Sequence, residues 1–399
     1  MDRRAFVLGG LGGLIPLVAF ARTGKAPSVD DKVIRIGQTM PYSGPASAWS
    51  TAGRLSVAFV EMINQTGGVN GRKLELLSLD DAFSPPKTVE QTRKLVEQDE
   101  VLFIFGTGGA APNGAIQKYL NGKHVPQLLI MTGANRFNDP AHFPWTMPWT
   151  PTYALESSIY AKHVLNTKPN GKVAVLYQND DFGRDFLNGF RNGLGARADS
   201  MIVSALSYNL TDPTIDSQLP TLKASGADVL LNAGSPKFTS LAIRKAAEIG
   251  WHPLQMITGV SSGISTVLEP AGLENAKGVL TAVFYKDPND NRWSNDPGRT
   301  QYLNFLKTYF PSANVNDSSH VFAYSANQLL IHILELCGDD LTRPNVMKVA
   351  TSLRGVKLPM LLPGTEIETD ENNFSPIRQM QLSQFDGQSW QLVGDLLRG

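Results

Sequence analysis

A regular alternation of short apolar segments with amphipathic ones is the feature that most constrains the fold of this 399-residue chain. Residues 33–37, 101–105 and 127–131 are largely apolar runs of strand length, whereas residues 52–64 and 87–98 place apolar side chains at helical spacing. Strands that are apolar along their whole length are typical of parallel sheets, because helices cover both faces of such sheets. The pattern therefore predicts an α/β fold.

Two series of these segments are separated by residues 145–151, a stretch rich in proline and tryptophan that is typical of a stiff connection. A chain of this length exceeds what one ordinary core accommodates, so we expect two lobes with parallel sheets. A second crossing between the lobes is expected near residues 276–278, before another apolar segment. The predicted boundaries are residues 32–149 with 279–361 for lobe I, and residues 150–278 with 362–399 for lobe II.

The first 21 residues predict an export signal rather than part of the fold. Arg3 and Arg4 precede an apolar run that is too short to span a bilayer, and the run ends in Ala19-Phe20-Ala21. The arginine pair favours the twin-arginine route, with cleavage after Ala21 and a mature protein in the periplasm. Cys337 is the only cysteine, so neither a lipid anchor next to the cleavage point nor an intrachain disulfide is expected.

Composition argues against several classes of function. Acidic and basic residues balance at 36 each and are dispersed, which argues against a nucleic-acid partner. The six histidines lack metal-ligand spacing, and neither a Gly-x-Ser-x-Gly elbow nor a phosphate-binding loop is present. We therefore expect no metal, no cofactor and no catalytic residue.

Two pairs of adjacent aspartates are candidate acid/base sites. Asp80-Asp81 and Asp180-Asp181 each follow a predicted strand. Adjacent residues on a strand point to opposite faces, so the two members of a pair cannot easily share a substrate. We expect these carboxylates to cap the turns that follow the strands.

A glycine-rich turn lies between a predicted strand and a predicted helix at Gly106-Thr107-Gly108-Gly109. It lacks the third glycine and the downstream acid of a dinucleotide fingerprint, so we do not expect a nucleotide. Such a turn still exposes backbone N–H groups and the positive end of a helix dipole, which suits a carboxylate. The alternative is a tight turn with a purely structural role.

Several motifs along the chain together resemble one protein family. The first is the Ser43-Gly44-Pro45 turn, and the second is the Gly-Gly-Val-Asn-Gly-Arg-Lys-Leu run at residues 67–74. Later matches are Asp80-Asp81 with Pro85, Phe105-Gly106, residues 132–135, Phe182-Gly183 and residues 246–250. The combination resembles type I periplasmic solute-binding proteins of ABC importers, in particular the leucine/isoleucine/valine-binding branch, over essentially the whole chain after the export signal.

The resemblance implies two Rossmann-like lobes joined by three strands, which close on a ligand by hinge motion. It places an aromatic wall and two carboxylate-binding turns in the first lobe, and an aromatic lid and a pair of contact positions in the second. With the neighbouring aromatic, turn and loop positions included, the expected ligand-binding residues are Tyr42, Trp49, Thr107, Gly108, Gly109, Ala134, Asn135, Phe182, Ser235, Pro236 and Val260.

One departure from the family pattern concerns the charge of the ligand. Amino-acid binders of the family place a carboxylate in the loop after the strand that here ends at Thr258, whereas residues 259–263 hold no acid. A buried ammonium without a counter-charge is strongly destabilised, so an amino acid fits poorly unless another acid enters the site. In that case Glu156 or Asp181 is the first acid to examine.

The aromatic positions Tyr42, Trp49, Phe182 and Tyr153 are typical of a site for a flat or apolar ligand with one carboxylate. The expected function is therefore a monomeric receptor that captures an aromatic or branched organic acid and delivers it to ABC permease subunits in the inner membrane. Branched-chain amino-acid or amide binding is the first alternative. A sensory ligand-binding protein and an exported α/β enzyme are alternatives of other classes.

Overall fold

The computed structural model describes Val29 and residues 32–398, so the predicted export signal and its cleavage site lie outside the described residues. The strands are β1 Val33–Met40, β2 Lys73–Asp80, β3 Ile104–Phe105, β4 Gln127–Ile130, β5 Thr146–Pro148, β6 Val173–Gln178, β7 Ile202–Tyr208, β8 Val229–Ala233, β9 Leu254–Ile257, β10 Leu280–Val283, β11 Gln379–Phe385 and β12 Trp390–Arg398. The α-helices are α1 Ser50–Gln65, α2 Pro85–Glu97, α3 Ala110–Gly122, α4 Tyr153–Thr167, α5 Asp181–Leu194, α6 Ala198–Met201, α7 Gln218–Ala224, α8 Pro236–Glu248, α9 Glu269–Ala271, α10 Leu273–Ala276, α11 Pro297–Tyr309, α12 Ser318–Cys337 and α13 Arg343–Ala350.

The strands form two sheets, one in each lobe. The first has the order β2-β1-β3-β4-β5 and is parallel throughout. The second has the order β12-β11-β10-β9-β8-β6-β7, in which only the β10-β11-β12 edge is antiparallel. The predicted α/β fold with two lobes and mostly parallel sheets is confirmed.

The chain crosses between the lobes three times: after β5, after β10 and after α13. The second and third crossings run antiparallel beside each other, because Leu362 N–H donates to the Phe284 carbonyl at 3.0 Å and Lys286 N–H donates to the Met360 carbonyl at 2.9 Å. These paired segments and the one after β5 form the connection about which the lobes can move.

The second crossing lies later than the sequence predicts. Residues 276–278 connect α10 to β10, and β10 pairs with β9 and β11 in the second sheet rather than in lobe I. The return to lobe I therefore follows Val283. A short apolar strand has the same sequence pattern in either sheet, because both sheets are buried on both faces, so the pattern could not assign β10 to its lobe.

Helices α4 and α5 approach each other unusually closely, and both carry residues of the candidate site. A Cβ added at Gly189 of α5 would lie 2.2 Å from Ser157 Oγ and 2.7 Å from the Ala154 Cα of α4. A Cβ added at Gly193 would lie 2.6 Å from the Ala161 Cβ. The absence of side chains at these two positions sets the distance between the helices.

No helix in the described part of the chain is both long enough and apolar enough to cross a membrane.

A candidate ligand-binding cavity between the lobes

A cavity of about 970 Å³, its open mouth included, lies where the two lobes and their crossing segments meet. Lobe I contributes residues from the ends of β1, β3 and β4 and from the first turn of α12. Lobe II contributes the first turns of α4 and α5 and the loop after β9. This location at the carboxyl ends of parallel strands is where open α/β sheets bind ligands.

Five of the predicted binding residues line this cavity: Trp49, Gly108, Gly109, Phe182 and Val260. They come from both lobes, so the structure brings together positions that are more than 200 residues apart. Tyr153, which the sequence offered as a further aromatic position, also lines the cavity.

Three predicted residues of lobe I lie outside the cavity wall. Tyr42 turns toward β2, where its hydroxyl lies 2.5 Å from Ser78 Oγ. Thr107 is buried, with its hydroxyl 3.2 Å from that of Thr39. Ala134 is also buried and does not reach the cavity surface.

The other three predicted residues outside the wall make structural contacts. Asn135 donates its backbone N–H to Asp185 Oδ2 at 2.8 Å, which joins lobe I to α5 of lobe II. The Ser235 N–H donates to the Tyr208 hydroxyl at 2.9 Å, and the Ser235 hydroxyl lies 3.2 Å from the same oxygen. Pro236 is the first residue of α8. The side chains of neighbouring loop residues point in different directions. A motif match alone could therefore not tell which of these residues faces the cavity.

The first turn of α3 lies at the cavity wall, where the Ala110 N–H has no hydrogen-bond partner among the described residues, whereas the Gly109 N–H donates to the Met131 carbonyl at 3.1 Å. Gly109 precedes this helix with φ +86°, and no side chain caps the helix. Side chains cap three other helices that open onto the cavity: Thr152 for α4, Asp180 for α5 and Asp317 for α12. Helix α1 has no side-chain cap but continues directly from the 3-10 turn Ser47–Trp49. The α3 N-terminus is therefore the place in the cavity where a carboxylate gains both hydrogen bonds and a favourable dipole.

Most of the cavity wall is aromatic or aliphatic. Each lobe contributes one pair of rings. Lobe I has Trp49 and Phe83 with 5.5 Å between centroids, and lobe II has Tyr153 and Phe182 with 5.1 Å between centroids. The crossing segments and α12 add further rings, namely Phe284, Tyr285 and Phe322. No lysine, arginine or histidine belongs to the wall formed by the described residues.

The loop at residues 259–263 holds no acid, but Glu156, one of the two acids that the sequence offers in its place, does enter the site. Glu156 lines the cavity from α4 and is only 4% exposed. Its Oε1 accepts the Gly259 N–H at 2.7 Å and lies 2.7 Å from the Tyr160 hydroxyl. Burial raises the pKa of this carboxyl to about 7, although both hydrogen bonds favour the charged form.

A second acid, Asp180, also lines the cavity. Its Oδ1 accepts the Gly183 N–H and its Oδ2 accepts a hydrogen bond from Gln178 at 2.7 Å, so it caps α5 as predicted. Burial raises the pKa of Asp180. Asp181, by contrast, lies outside the wall and forms an exposed ion pair with Arg136 at 3.3 Å.

Several wall residues carry no sequence signal that could have identified them. Met380 comes from the start of β11, and Ser318 and Ser319 come from the start of α12, so all three depend on how the crossings fold back. Phe83 adopts φ +57°, a conformation unusual for a non-glycine residue. No group of three or more potential metal-ligating side chains occurs among the described residues.

The fold and the cavity define a class of protein: a two-lobed α/β protein with a ligand-sized space where its lobes meet. The chain belongs to the periplasmic binding protein family, whose model matches residues 33–389. The predicted resemblance to type I periplasmic solute-binding proteins is thereby confirmed.

One relative by sequence and two solved structures with a similar fold are compared with this chain. Leu/Ile/Val-binding protein homolog 7 of Brucella suis biovar 1 is 25% identical over 386 residues, which cover 94% of this chain and 92% of the relative. A branched-chain amino-acid ABC transporter structure from Thermus thermophilus with bound valine has a TM-score of 0.83 at 14% identity and covers 93% of this chain and 98% of its own. A solute-binding protein of an ABC transporter from Rhodopseudomonas palustris BisB5, in complex with 3,4-dihydroxybenzoic acid, has a TM-score of 0.77 at 18% identity and covers 92% of this chain and 97% of its own.

Proposed function

We propose that this protein captures a small organic acid with an apolar, aromatic or branched body in the periplasm and presents it to the permease of an ABC importer. The observation that carries the proposal is a cavity walled by aromatic side chains from both lobes, with the uncapped N-terminus of α3 on one side. The rings would enclose the apolar body, and the backbone N–H groups of Gly108 and Ala110, which have no partner among the described residues, would bind the carboxylate.

Capture would work without any covalent step, so the protein is proposed not to be an enzyme. The ligand would contact lobe I through the α3 N-terminus and lobe II through Tyr153 and Phe182. A ligand that touches both lobes binds the closed form more tightly than the open form, and it shifts the population toward closure by that difference in affinity. The permease would then recognise the closed form.

The similar proteins point to two classes of ligand, an aromatic acid and branched-chain amino acids. The Rhodopseudomonas palustris protein was solved with an aromatic acid, which agrees with an aromatic cavity. The Thermus thermophilus structure holds valine, and the Brucella suis relative carries a Leu/Ile/Val-binding name.

Export through the N-terminal signal, with cleavage after Ala21, is part of the proposal. N-terminal sequencing of the mature protein from its native host tests it.

A second candidate function is branched-chain or aromatic amino-acid capture. Glu156 and Asp180 in the cavity wall favour it, because a carboxylate can pair with the ligand ammonium that the loop at residues 259–263 leaves without a partner. The Coulomb attraction of such a pair is large where water is excluded.

Isothermal titration calorimetry on the purified mature protein tests both candidates. Benzoate, 3,4-dihydroxybenzoate and 4-methylpentanoate would be compared with leucine and valine, and each acid would be compared with its own primary amide. Binding of an acid with at least about tenfold preference over its amide supports a carboxylate site at α3. Submicromolar binding of leucine without binding of the acids would favour the second candidate, and absence of binding by every compound would reject both.

A further inference from the structure

The two acids of the cavity wall, Asp180 and Glu156, differ in how many of their carboxylate oxygens already accept hydrogen bonds from the protein. Both oxygens of Asp180 already accept hydrogen bonds from lobe II, one from the Gly183 N–H and one from the Gln178 amide. Glu156 is engaged through Oε1 only, by the Gly259 N–H and the Tyr160 hydroxyl. Its Oε2 receives no hydrogen bond from the described residues. This oxygen also does not belong to the fully buried polar atoms that lack a partner, so it is accessible from the cavity.

The contacts of Oε1 hold Glu156 in one orientation. The Tyr160 hydroxyl accepts the Ala282 N–H at 2.9 Å and lies 2.8 Å from the Ile257 carbonyl oxygen, which fixes the ring beside the carboxylate. With Oε1 held from two sides, Oε2 is the oxygen that remains for a molecule in the cavity. A carboxylate oxygen fixed in this way is preorganised to accept a hydrogen bond.

Residue 259 cannot supply an acid of its own at this place. A Cβ added at Gly259 would lie 2.8 Å from the Ala282 carbonyl oxygen and 3.6 Å from Glu156 Oε1. The Ala282 carbonyl oxygen therefore excludes a side chain at residue 259, and the carboxylate beside this position comes from α4 instead.

We propose that Glu156 determines ligand selectivity, by accepting a hydrogen bond on Oε2 from an N–H or O–H group that the ligand carries in addition to its carboxylate. This inference rests on the proposed function and deepens it, since it names a second polar group on the ligand. The donor is an ammonium in one kind of ligand and a hydroxyl in another, and both present the same chemistry to Oε2.

The surroundings of Glu156 make its proton part of this selection. The titratable groups near it are Tyr153 and Tyr160 from α4, Tyr285 from the second crossing and Asp180 at the start of α5. None of these carries a positive charge, so burial leaves the carboxyl partly protonated near neutral pH. A ligand donor stabilises the charged form, and binding therefore releases protons.

The test compares ligand pairs that differ only in the donor groups. Phenylalanine against 3-phenylpropanoate tests the ammonium, and 3,4-dihydroxybenzoate against benzoate tests the hydroxyls. Titration calorimetry at pH 7 should show, for at least one pair, about thirtyfold or more tighter binding of the donor-bearing member to the wild-type protein. In E156Q the amide NH₂ replaces Oε2, and the preference should fall to within about threefold.

D199N, at an exposed acid of lobe II outside the cavity wall, is the control and should keep the preference. D180N changes the other acid of the wall and shows whether Asp180 rather than Glu156 makes the selection. Equal binding of both members of each pair, or an unchanged preference in E156Q, would overturn the inference and leave the proposed function standing. Loss of the preference in D180N but not in E156Q would also overturn it. Failure of all four compounds to bind would reject the proposed ligand class and this inference with it.

Proton release provides a readout that a merely structural role of Glu156 would not move. Titrations of the preferred compound at pH 7 in phosphate and in Tris, which differ in ionisation enthalpy, give the number of protons released. We expect roughly half a proton for the wild-type protein, because a carboxyl with a pKa near the working pH is about half protonated before binding, and none for E156Q. Equal proton release from both proteins would contradict the inference.

Discussion

Glu156 is the residue at which binding and stability oppose each other. Its carboxyl is 4% exposed, and no cation lines the cavity among the described residues. The pKa rises from 4.5 to about 7 because burial disfavours the charged form. At about 1.4 kcal/mol per pKa unit, the charged carboxylate destabilises the folded state by about 3 kcal/mol above neutral pH.

The pH dependence of stability checks this cost. Because the folded-state pKa is raised, the folded protein keeps the Glu156 proton to a higher pH than the unfolded chain does. Wild-type stability should therefore fall between about pH 4.5 and 7, and E156Q should lack this decrease. Urea unfolding of both proteins at pH 5 and pH 8 measures this effect. The free energy of unfolding of E156Q minus that of the wild type should be about 3 kcal/mol larger at pH 8 than at pH 5. E371Q, at an exposed acid, is the control and should follow the wild type; identical curves for E156Q and wild type would contradict the assignment.

Gly109 and Gly108 form a matched pair for testing the α3 turn. Gly109 has φ +86°, and a Cβ there would lie 2.3 Å from the Phe83 ring, whereas the nearest atom to a Cβ on Gly108 lies 3.9 Å away. G109A should therefore destabilise the protein by about 2 kcal/mol or more and weaken acid binding, while G108A should fold like the wild type. Thermal unfolding and calorimetry measure both effects. Equal behaviour of the two variants would contradict the geometry given for this turn.

At the residue scale, sequence motifs identified wall positions only where the local chain fixes their direction. Gly108 and Gly109 could be predicted as wall positions because the turn before a helix lies at the carboxyl end of its strand, although the Gly109 N–H itself donates to the Met131 carbonyl. Ser235 and Asn135 lie on equally plausible loops, but their groups are used by Tyr208 and Asp185. Glu156 was foreseen only as a fallback, because its position depends on how α4 packs against the loop at Gly259.

Among the elements, α4 and α5 determine how Tyr153, Glu156 and Phe182 stand relative to one another. Their close approach depends on Gly189 and Gly193, where any side chain would overlap with α4. The sequence predicted most helices and strands from their periodicity. It could not predict the lobe to which β10 belongs, because that depends on pairing with β9 and β11 rather than on a local pattern.

Substitution of Gly189 tests the role of this helix pair. G189A would place a methyl group 2.2 Å from Ser157 Oγ and 2.7 Å from the Ala154 Cα, so the helices must separate. We expect a loss of about 1–3 kcal/mol in stability and weaker ligand binding, as for other overpacked sites. G122A in α3 is the control, because a Cβ there meets no atom within 4 Å; it should be neutral or slightly stabilising. A G189A protein with wild-type stability would contradict the packing argument.

For the whole molecule, the contacts between the lobes are as important as the cavity itself. The Asn135 N–H donates to Asp185 Oδ2 at 2.8 Å, and Arg136 pairs with Asp181 at 3.3 Å, so the loop after β4 is joined to α5 across the cleft. These contacts do not touch the cavity. They hold the two lobes together in the arrangement that encloses it.

Removing one of these contacts should therefore weaken binding without altering the cavity. D185A should raise the Kd of any ligand about fivefold, because a lost hydrogen bond of about 1 kcal/mol favours the open form. D199A removes an exposed ion pair with Arg191 within lobe II and should leave the Kd unchanged. Calorimetry with one compound measures the Kd of D185A and of D199A. Equal Kd values for the two variants would show that the contact between Asn135 and Asp185 does not stabilise closure.

Small-angle X-ray scattering with and without a saturating acid tests most directly whether the two lobes close on a ligand held between them. The acid would be the tightest binder found by calorimetry, and its primary amide would serve as the matched control. We expect a smaller radius of gyration with the acid and no change with the amide at the same concentration. An unchanged scattering profile at full saturation with the acid would contradict capture by closure of the lobes.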